Sequence, residues 1–431
     1  MPWNREFESM PLEQLQKFQL EKLKETVEWV TDRVPFYKRK FEEAGVIADD
    51  LKSIKDVSKL PFTVKNDLRD NYPFGLCAVP MEEVVRVHAS SGTTGKPVTA
   101  PYTAEDVEQW TECVTRALWA YGVRKEDVVQ NSYGHGLFTG GFGLHLGISR
   151  MGCANVPLGT GFTERQVALM KDFKATVLCC TPSYALTIAE KAESMNIDIK
   201  SLFLKIGVFG AEPWSNEMCN AIEERMGIKA MDIFGLTELS GPGMAYECSA
   251  KRGAHINEDH FIAEVVDPAT LEPLPLGEKG ELVFTAIQRR AMPLIRYRTK
   301  DITRLVRDEC PCKRTFVRME RISGRTDDML IISGVNVFPS QVESLLLEIP
   351  ELEPQYRLVV RKSGYLDKLT VQVEAKKEIY ELGREKQYEV EAKAMAHIKG
   401  IIGIRVGVDI VEPKSIDRSE GKAIRVLDER P

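Results

Sequence analysis

No stretch of eighteen consecutive apolar residues occurs in this chain of 431 residues, so nothing in it reads as a membrane-crossing helix. The opening "MPWNREFESM" is mixed in charge and lacks the apolar core of a secretory signal. Basic residues are not in excess. The 58 Lys and Arg stand against 64 Asp and Glu, a net charge of −6, which speaks against the positive footprint that nucleic acid requires. Internal repeats and low-complexity tracts are missing. The nine cysteines are an odd number scattered through a long chain, which argues for burial or metal binding and against a disulfide framework. A cytoplasmic location is expected, with neither membrane nor nucleic acid as partner.

What is present is ordinary globular material, 43% hydrophobic and 28% charged. The length exceeds what one core usually spans, so two or three domains are expected. Residues 12–34 carry apolar side chains at helical spacing. From about residue 98, helical patterns (104–122, 163–173, 182–195, 215–227) alternate with apolar strands (175–180, 204–210, 229–235), the signature of a parallel sheet covered by helices. After about 245 come short strands between Gly/Pro turns, at 259–267, 280–286, 293–299 and 315–321. From about 328 follows a small α+β unit, with helices at 339–349 and near 383–399, a hairpin at 355–376 and a strand at 404–412. The expected fold class is α/β. A large N-terminal domain (1–326) has parallel sheets flanked by helices and a β-rich subdomain at about 245–326. A small α+β C-terminal domain spans 327–431.

The stretch "SSGTTGKP" (90–97) has nothing to pack into a core. Its hydroxyls, glycines and lysine are suited to bring N–H groups and a cation close to an anion. A Walker loop fails on spacing, because only two residues separate Gly92 from Gly95 and Pro97 follows Lys96. Three Gly-rich loops follow apolar strands: "FGAEP" (209–213), "FGLTEL" (234–239) and "YGHGLFTGGFG" (133–143). Ligands bind at such strand ends in open α/β sheets, so the four loops together read as a nucleotide pocket.

The motifs "SSGTTGKP", "DIFGLTE", "YRTKD", "GRTDDML" and "RSEGKAIRV" occur in that order. Together they resemble the acyl-adenylate-forming superfamily, which includes the acyl-coenzyme A synthetases. "VPFYKRKFEEAG", "YGHGLFTGGFGLHLG", "FGAEPWS", "GPGMAYEC" and "INEDHFIAEVVDP" are similar to the phenylacetate–coenzyme A ligase family within it, so the resemblance spans nearly the whole chain. It implies a two-step reaction. A carboxylate and ATP give an acyl adenylate and pyrophosphate; coenzyme A then displaces AMP. It also implies a C-terminal lid that rotates between the steps, with Asp327 as its hinge, and a homodimer is expected.

The resemblance assigns roles residue by residue. Lys422 bridges the carboxylate and the α-phosphate. Ser90, Ser91, Gly92, Thr93, Thr94, Gly95 and Lys96 hold the β- and γ-phosphates. Glu238 holds Mg²⁺ and Thr237 contacts the α-phosphate. Asp301 takes the ribose hydroxyls, as a carboxylate with two acceptor oxygens suits, and Arg325 adds a ribose contact. Ala211, Glu212, Pro213, Asp232, Ile233, Phe234 and Gly235 line the adenine slot. Phe234 departs from the tyrosine common in the superfamily; it keeps the stacking face and loses a hydroxyl. Tyr133, Gly134, Phe138, Gly141 and Pro242 are expected to form a flat acyl slot that suits a planar aromatic acid. Phenylacetate, indoleacetate and benzoate-like acids all fit that description. An AMP-transferring cofactor synthetase and a catalytically silent adenylate sensor stay open as alternatives.

Without a role in those assignments, Cys248, His255 and the Cys-Pro-Cys clip of Cys310 and Cys312 lie in polar, loop-like stretches of the β-rich region. Three thiolates and one imidazole make a complete tetrahedral Zn²⁺ set with no open position, so a structural zinc is expected.

Overall fold

The computed structural model describes residues 1–90, 97–332, 335–363, 366–421 and 423–430. The two strands around the phosphate-type loop, β1 (Arg86–Ser90) and β2 (Val98–Tyr102), form an antiparallel hairpin in which Ser90 faces Val98. Ser91, Gly92, Thr93, Thr94, Gly95 and Lys96 lie outside the described residues.

The chain then builds a run of parallel strands: β3 (Val128–Asn131), β4 (Ala154–Val156), β5 (Val177–Cys180), β6 (Ile206–Gly210) and β7 (Lys229–Leu236). They stand in the order β4-β3-β5-β6-β7. "VLCC" and "IGVFG" hold no charged or amide side chain and are buried throughout, as a parallel sheet covered on both faces demands. Helices Pro182–Ser194 and Asn216–Met226 link these strands. Pro182 opens the first of them, where its missing N–H costs nothing.

The β-rich region after 245 is not a separate sheet. β8 (Gly241–Tyr246) pairs antiparallel with β7, and the same sheet runs on through β9 (Ala254–Ile256), β10 (Phe261–Val266), β11 (Lys279–Ala286), β12 (Tyr297–Val306) and β13 (Arg318–Met319). β14 (Gly324–Arg325) pairs with β12. Among the described residues this one sheet has 12 strands, parallel at one end and antiparallel at the other. The strand expected at 293–299 begins only at Tyr297. A second difference concerns 133–143, read as a loop: a helix, Thr139–Met151, starts inside it. Its glycines let it approach its surroundings closely. A methyl group at Gly141 would collide with Gly134 O.

The last hundred residues carry their own core, from Leu330 to Ile410, with Val426 packed against it. Strands β15 (Leu330–Ile332) and β16 (Val335–Val337) form a hairpin. A four-stranded sheet follows, β17 (Leu352–Ser363), β18 (Leu366–Ala375), β19 (Gly407–Val411) and β20 (Val426–Asp428), in the order β19-β18-β17-β20. Helices Pro339–Leu347 and Arg384–Ile402 pack on it. Leu347 is the partly buried apolar residue of this unit that rests on a core of the N-terminal part.

Candidate active site

The cleft at the carboxyl ends of β6 and β7 gathers the expected adenine and ribose residues. Ala211, Glu212 and Pro213 line it from one side, Asp232, Ile233, Phe234 and Gly235 from another, and Asp301 and Arg325 close it. Its enclosed volume is about 100 Å³, below the roughly 300–1,000 Å³ of small-molecule sites, so the cleft is narrow with the lid in this pose. Ala211 turns the chain out of β6 with a φ of 71°, and Gly235 is required where β7 meets β8, since a methyl there would overlap Gly241 O. The Phe234 ring stacks on Phe284, centroids 6.1 Å apart.

Asp301 and Arg325 face each other across β12 and β14, and Arg325 Nη1 donates to Asp301 Oδ1 at 2.8 Å. The other oxygen, Oδ2, is buried and has no hydrogen-bond partner among the described residues. Burial pushes the carboxyl up to about 6, against the pull of Arg325. A buried carboxylate with one open oxygen is the group a sugar diol would satisfy. Arg325 also chelates Asp327, at 2.9 and 3.1 Å.

Thr237 and Glu238 follow β7 and are buried. Tyr102 donates to Thr237 O at 3.0 Å, and the Thr237 and Thr139 hydroxyls meet at 3.2 Å. Tyr297 donates to Glu238 Oε1 at 2.6 Å, while Arg289 donates to the carbonyls of Glu238, Leu239 and Pro101. Arg289 thus ties the "GLTE" turn to β2. The Leu137 carbonyl accepts from Ala89 N and meets His88 Nδ1, both at 3.0 Å, fastening β1 to the loop before the helix Thr139–Met151. Ser90 Oγ is buried and without a partner among the described residues.

Lys422 lies outside the described residues, but both its neighbours are held by the N-terminal part. Thr181 Oγ1 donates to Gly421 O at 2.9 Å, and Ala423 N donates to Glu212 Oε2 at 2.9 Å. Glu212 Oε1 accepts from Ser183 N at 2.8 Å. The side chain expected to line adenine therefore reaches the C-terminal domain as well.

Of the expected acyl residues, Tyr133 is buried and its hydroxyl points at Gly210 O, 3.4 Å away. Gly134 and Gly141 meet at the start of the helix Thr139–Met151. Phe138 is 42% exposed, at the N-cap of the same helix. Pro242 lies beside Gly143, its carbonyl bound by Trp110 Nε1 at 3.0 Å.

Cys248, His255, Cys310 and Cys312 converge, with their ligand atoms all within 4.8 Å of one another and three of the four residues buried. The Cys248 and Cys310 sulfurs are 3.6 Å apart, and Cys312 Sγ lies 3.3 Å from His255 Nε2. Two thiolates sharing one tetrahedral zinc at about 2.3 Å would be about 3.8 Å apart, so the donor set fits that ion. His255 Nδ1 faces Phe316 O at 3.4 Å, leaving Nε2 for the cluster.

Several supporting residues escaped the sequence reading. Asp232 accepts from Trp214 Nε1 at 3.0 Å, its own N–H donates to Glu247 at 2.9 Å, and Arg321 pairs with Glu247 at 3.1 Å. Burial pushes Asp232 above the ordinary carboxylate range, with Arg321 opposing it. Tyr297, though inside "YRTKD", carried no signal that it would seek Glu238. The one hint was Trp214, in "FGAEPWS".

Residues 10–288 match the family model of the AMP-binding enzymes and residues 334–430 that of the AMP-binding enzyme C-terminal domain. The chain is 51% identical to a phenylacetate–coenzyme A ligase of Aromatoleum evansii, over 97% of this chain and 95% of that one. It is 48% identical to one of Escherichia coli, over 98% and 97%. A crystal structure of a 2-hydroxyisobutyryl-CoA ligase in its postadenylation state, 30% identical, superposes with a TM-score of 0.94 over 99% of this chain and 92% of that one. In the thioesterification state the same relative gives 0.74, over 100% and 92%. Matched by both family models and by these relatives from end to end, the chain belongs to the phenylacetate–coenzyme A ligase family of the acyl-adenylate-forming enzymes.

Proposed function

We propose that this chain joins an aromatic carboxylic acid, phenylacetate first among them, to coenzyme A. The observation that carries the reading is identity of 47–51% to four curated phenylacetate–coenzyme A ligases over nearly their whole length. In the first step a carboxylate oxygen attacks the α-phosphorus of ATP and the bond to pyrophosphate breaks. In the second the thiol sulfur of coenzyme A attacks the acyl carbon, the thiol proton is lost, and AMP leaves.

Two anions meet in the first step, so groups aimed at the developing charge dominate its barrier. Lys422 is the cation between them, with Lys96 and the hydroxyls of residues 90–94 on the outer phosphates. The open Oδ2 of Asp301, with Arg325 beside it, supports the ribose role. Glu238, whose other oxygen is steadied by Tyr297, would hold Mg²⁺, which neutralises phosphate charge when bound. Thr237, beside it, would contact the α-phosphate. Tyr133, Gly134, Phe138, Gly141 and Pro242 would shape the acyl slot. The Cys/His cluster would hold a structural Zn²⁺ bracing the antiparallel end of the sheet, away from the chemistry.

We read residues 1–326 as the adenylating body and 327–431 as a lid hinged at Asp327. The independent core from Leu330 supports this, as does the drop in TM-score between two states of one relative. A cytoplasmic homodimer is the expected form, checked by light scattering in solution. A panel of aryl acids with ATP, Mg²⁺ and coenzyme A tests the activity, with AMP and thioester both measured. Phenylacetate is expected to have the highest kcat/KM. AMP release without thioester would point to another acceptor, and no turnover with any acid would overturn the reading.

A further inference from the structure

We propose that Glu212 is a positioning residue for adenylation: its carboxylate clamps the lid loop that carries Lys422 onto the N-terminal turn of the helix Pro182–Ser194. The proposal rests on the reading of Lys422 given above. It starts from the turn after β6, where the positive φ of Ala211 bends the chain sharply. Residues 211–213 thereby line the nucleotide cleft, while Glu212 also borders the cavity between the two domains.

The two oxygens of Glu212 then serve two bodies. Oε1 accepts from Ser183 N at 2.8 Å. That N–H lies in the first turn of a helix, where amides lack partners within the helix and the helix dipole favours an anion. Oε2 accepts from Ala423 N at 2.9 Å, in the lid. From the same helix terminus, Thr181 Oγ1 and Ser183 Oγ donate to Gly421 O at 2.9 and 3.4 Å. Gly421 O and Ala423 N are thus gripped, one by donors and one by an acceptor.

A carboxylate is the group this geometry needs. Both its oxygens face N–H donors. An amide in its place would offer one acceptor and set an NH₂ against the other donor. Hydrogen bonds to an ionised acceptor are about twice as strong as neutral ones. All the lid partners are backbone atoms, so the grip depends on the lid's pose and not on its side chains. A rotated lid leaves it, which restricts its effect to the first half-reaction. Because Glu212 also lines the nucleotide cleft, lid docking and cleft occupancy meet at one position.

The test separates the half-reactions. With the best acid of the panel, Glu212→Gln is expected to slow ATP–pyrophosphate exchange about 10- to 100-fold, the scale of one charge-assisted hydrogen bond lost with its donor left unpaired. Thioester formation from supplied aryl adenylate and coenzyme A should stay within about twofold, since a rotated lid no longer meets Glu212, and the Kd for ATP should change far less than the exchange rate, since the amide keeps the shape of the cleft wall. Thr181→Val, which removes the hydroxyl on the opposite side, should give the same split without touching Glu212. Equal loss of both half-reactions, a matching rise in the Kd for ATP, or normal exchange in both variants overturns the clamp. Lys422→Ala is run in parallel. If it abolishes exchange while Glu212→Gln does not, the clamp alone fails. If it exchanges normally, the reading of Lys422 beneath the clamp fails.

Discussion

The Cys/His cluster and the seam between lid and body are both held together by polar atoms, and they are built in opposite ways. In the cluster three of four residues are buried, and four ligand atoms crowd within 4.8 Å. Nearby, Arg116 and Asp259 form an ion pair at 2.8 Å in which both side chains are 1% exposed. The seam uses hydrogen bonds and partly exposed ion pairs. Arg418 bridges Glu190 of the body and Glu374 of the lid, at 2.9 and 2.6 Å. Arg225 reaches Glu353 at 3.6 Å, and Ser344 bonds Glu217. Groups in the seam can exchange each other for water at little cost. Groups in the cluster cannot, because burial has removed the water. On the proposed reading, one region would be a fixed brace and the other a contact made and broken in each catalytic cycle.

The sharpest break in that contrast is Lys422→Ala. Adenylation should fall by about 10²–10³-fold or more, on the scale of removing one group that stabilises developing charge. Thioester formation from supplied adenylate should survive, and the melting temperature should hold, as it would for a seam residue. Rapid-quench assays of each half-reaction check this. Next in size is the brace. Cys310→Ser with Cys312→Ser should remove about one zinc per chain and lower the melting temperature by about 5–10 °C, at roughly 2–4 °C per kcal/mol for a domain of this order. Metal analysis and calorimetry read both effects; unchanged melting after chelation of wild type would put the cluster outside the brace.

The ion pairs give a smaller and more direct comparison. Asp259→Ala leaves the buried Arg116 guanidinium only Glu112 and Asn257, each at 3.0 Å, and should cost about 3 kcal/mol. Glu190→Gln, at the seam, should cost about 1 kcal/mol or less. Similar losses by denaturant titration would erase the distinction drawn here. The smallest effect is a pH profile. Asp301 is raised to about 6 by burial, and in the proposed ribose role its ionised form would accept the hydroxyls. The KM for ATP should therefore rise as pH falls through about 6, and Asp301→Asn should flatten the profile. The sign for the empty protein is opposite. A buried carboxyl with a raised value takes stability away as pH climbs from the ordinary carboxylate range through about 6.

Much of this architecture is legible along the chain. Apolar runs such as "VLCC" and "IGVFG" announce strands covered on both faces, and the helix of 104–122 appears as Ala104–Tyr121. These patterns are local, set by the period of one element. The extra helix at Thr139–Met151 was hidden by its own glycines, which signal a turn but here serve close packing. The continuity of the sheet from β7 into β8 was hidden because strand neighbours are chosen by long-range pairing, on which a local pattern is silent.

The site divides in the same way. Asp301, Arg325 and Glu238 were singled out by the family resemblance of the motifs that hold them, and the four Cys and His residues by their own side chains, because chemistry of that kind needs particular groups. Their arrangement was decided only in three dimensions: Asp301 open on one oxygen, Tyr297 on Glu238, four ligand atoms drawn together from three strands and loops. The clearest case is Glu212. Its position in "FGAEP" marked it for the nucleotide, yet its carboxylate holds Ser183 N and Ala423 N. Every residue but proline has a backbone N–H, so such a partner leaves no trace in residue identity, and only the folded chain could select which two the carboxylate would meet.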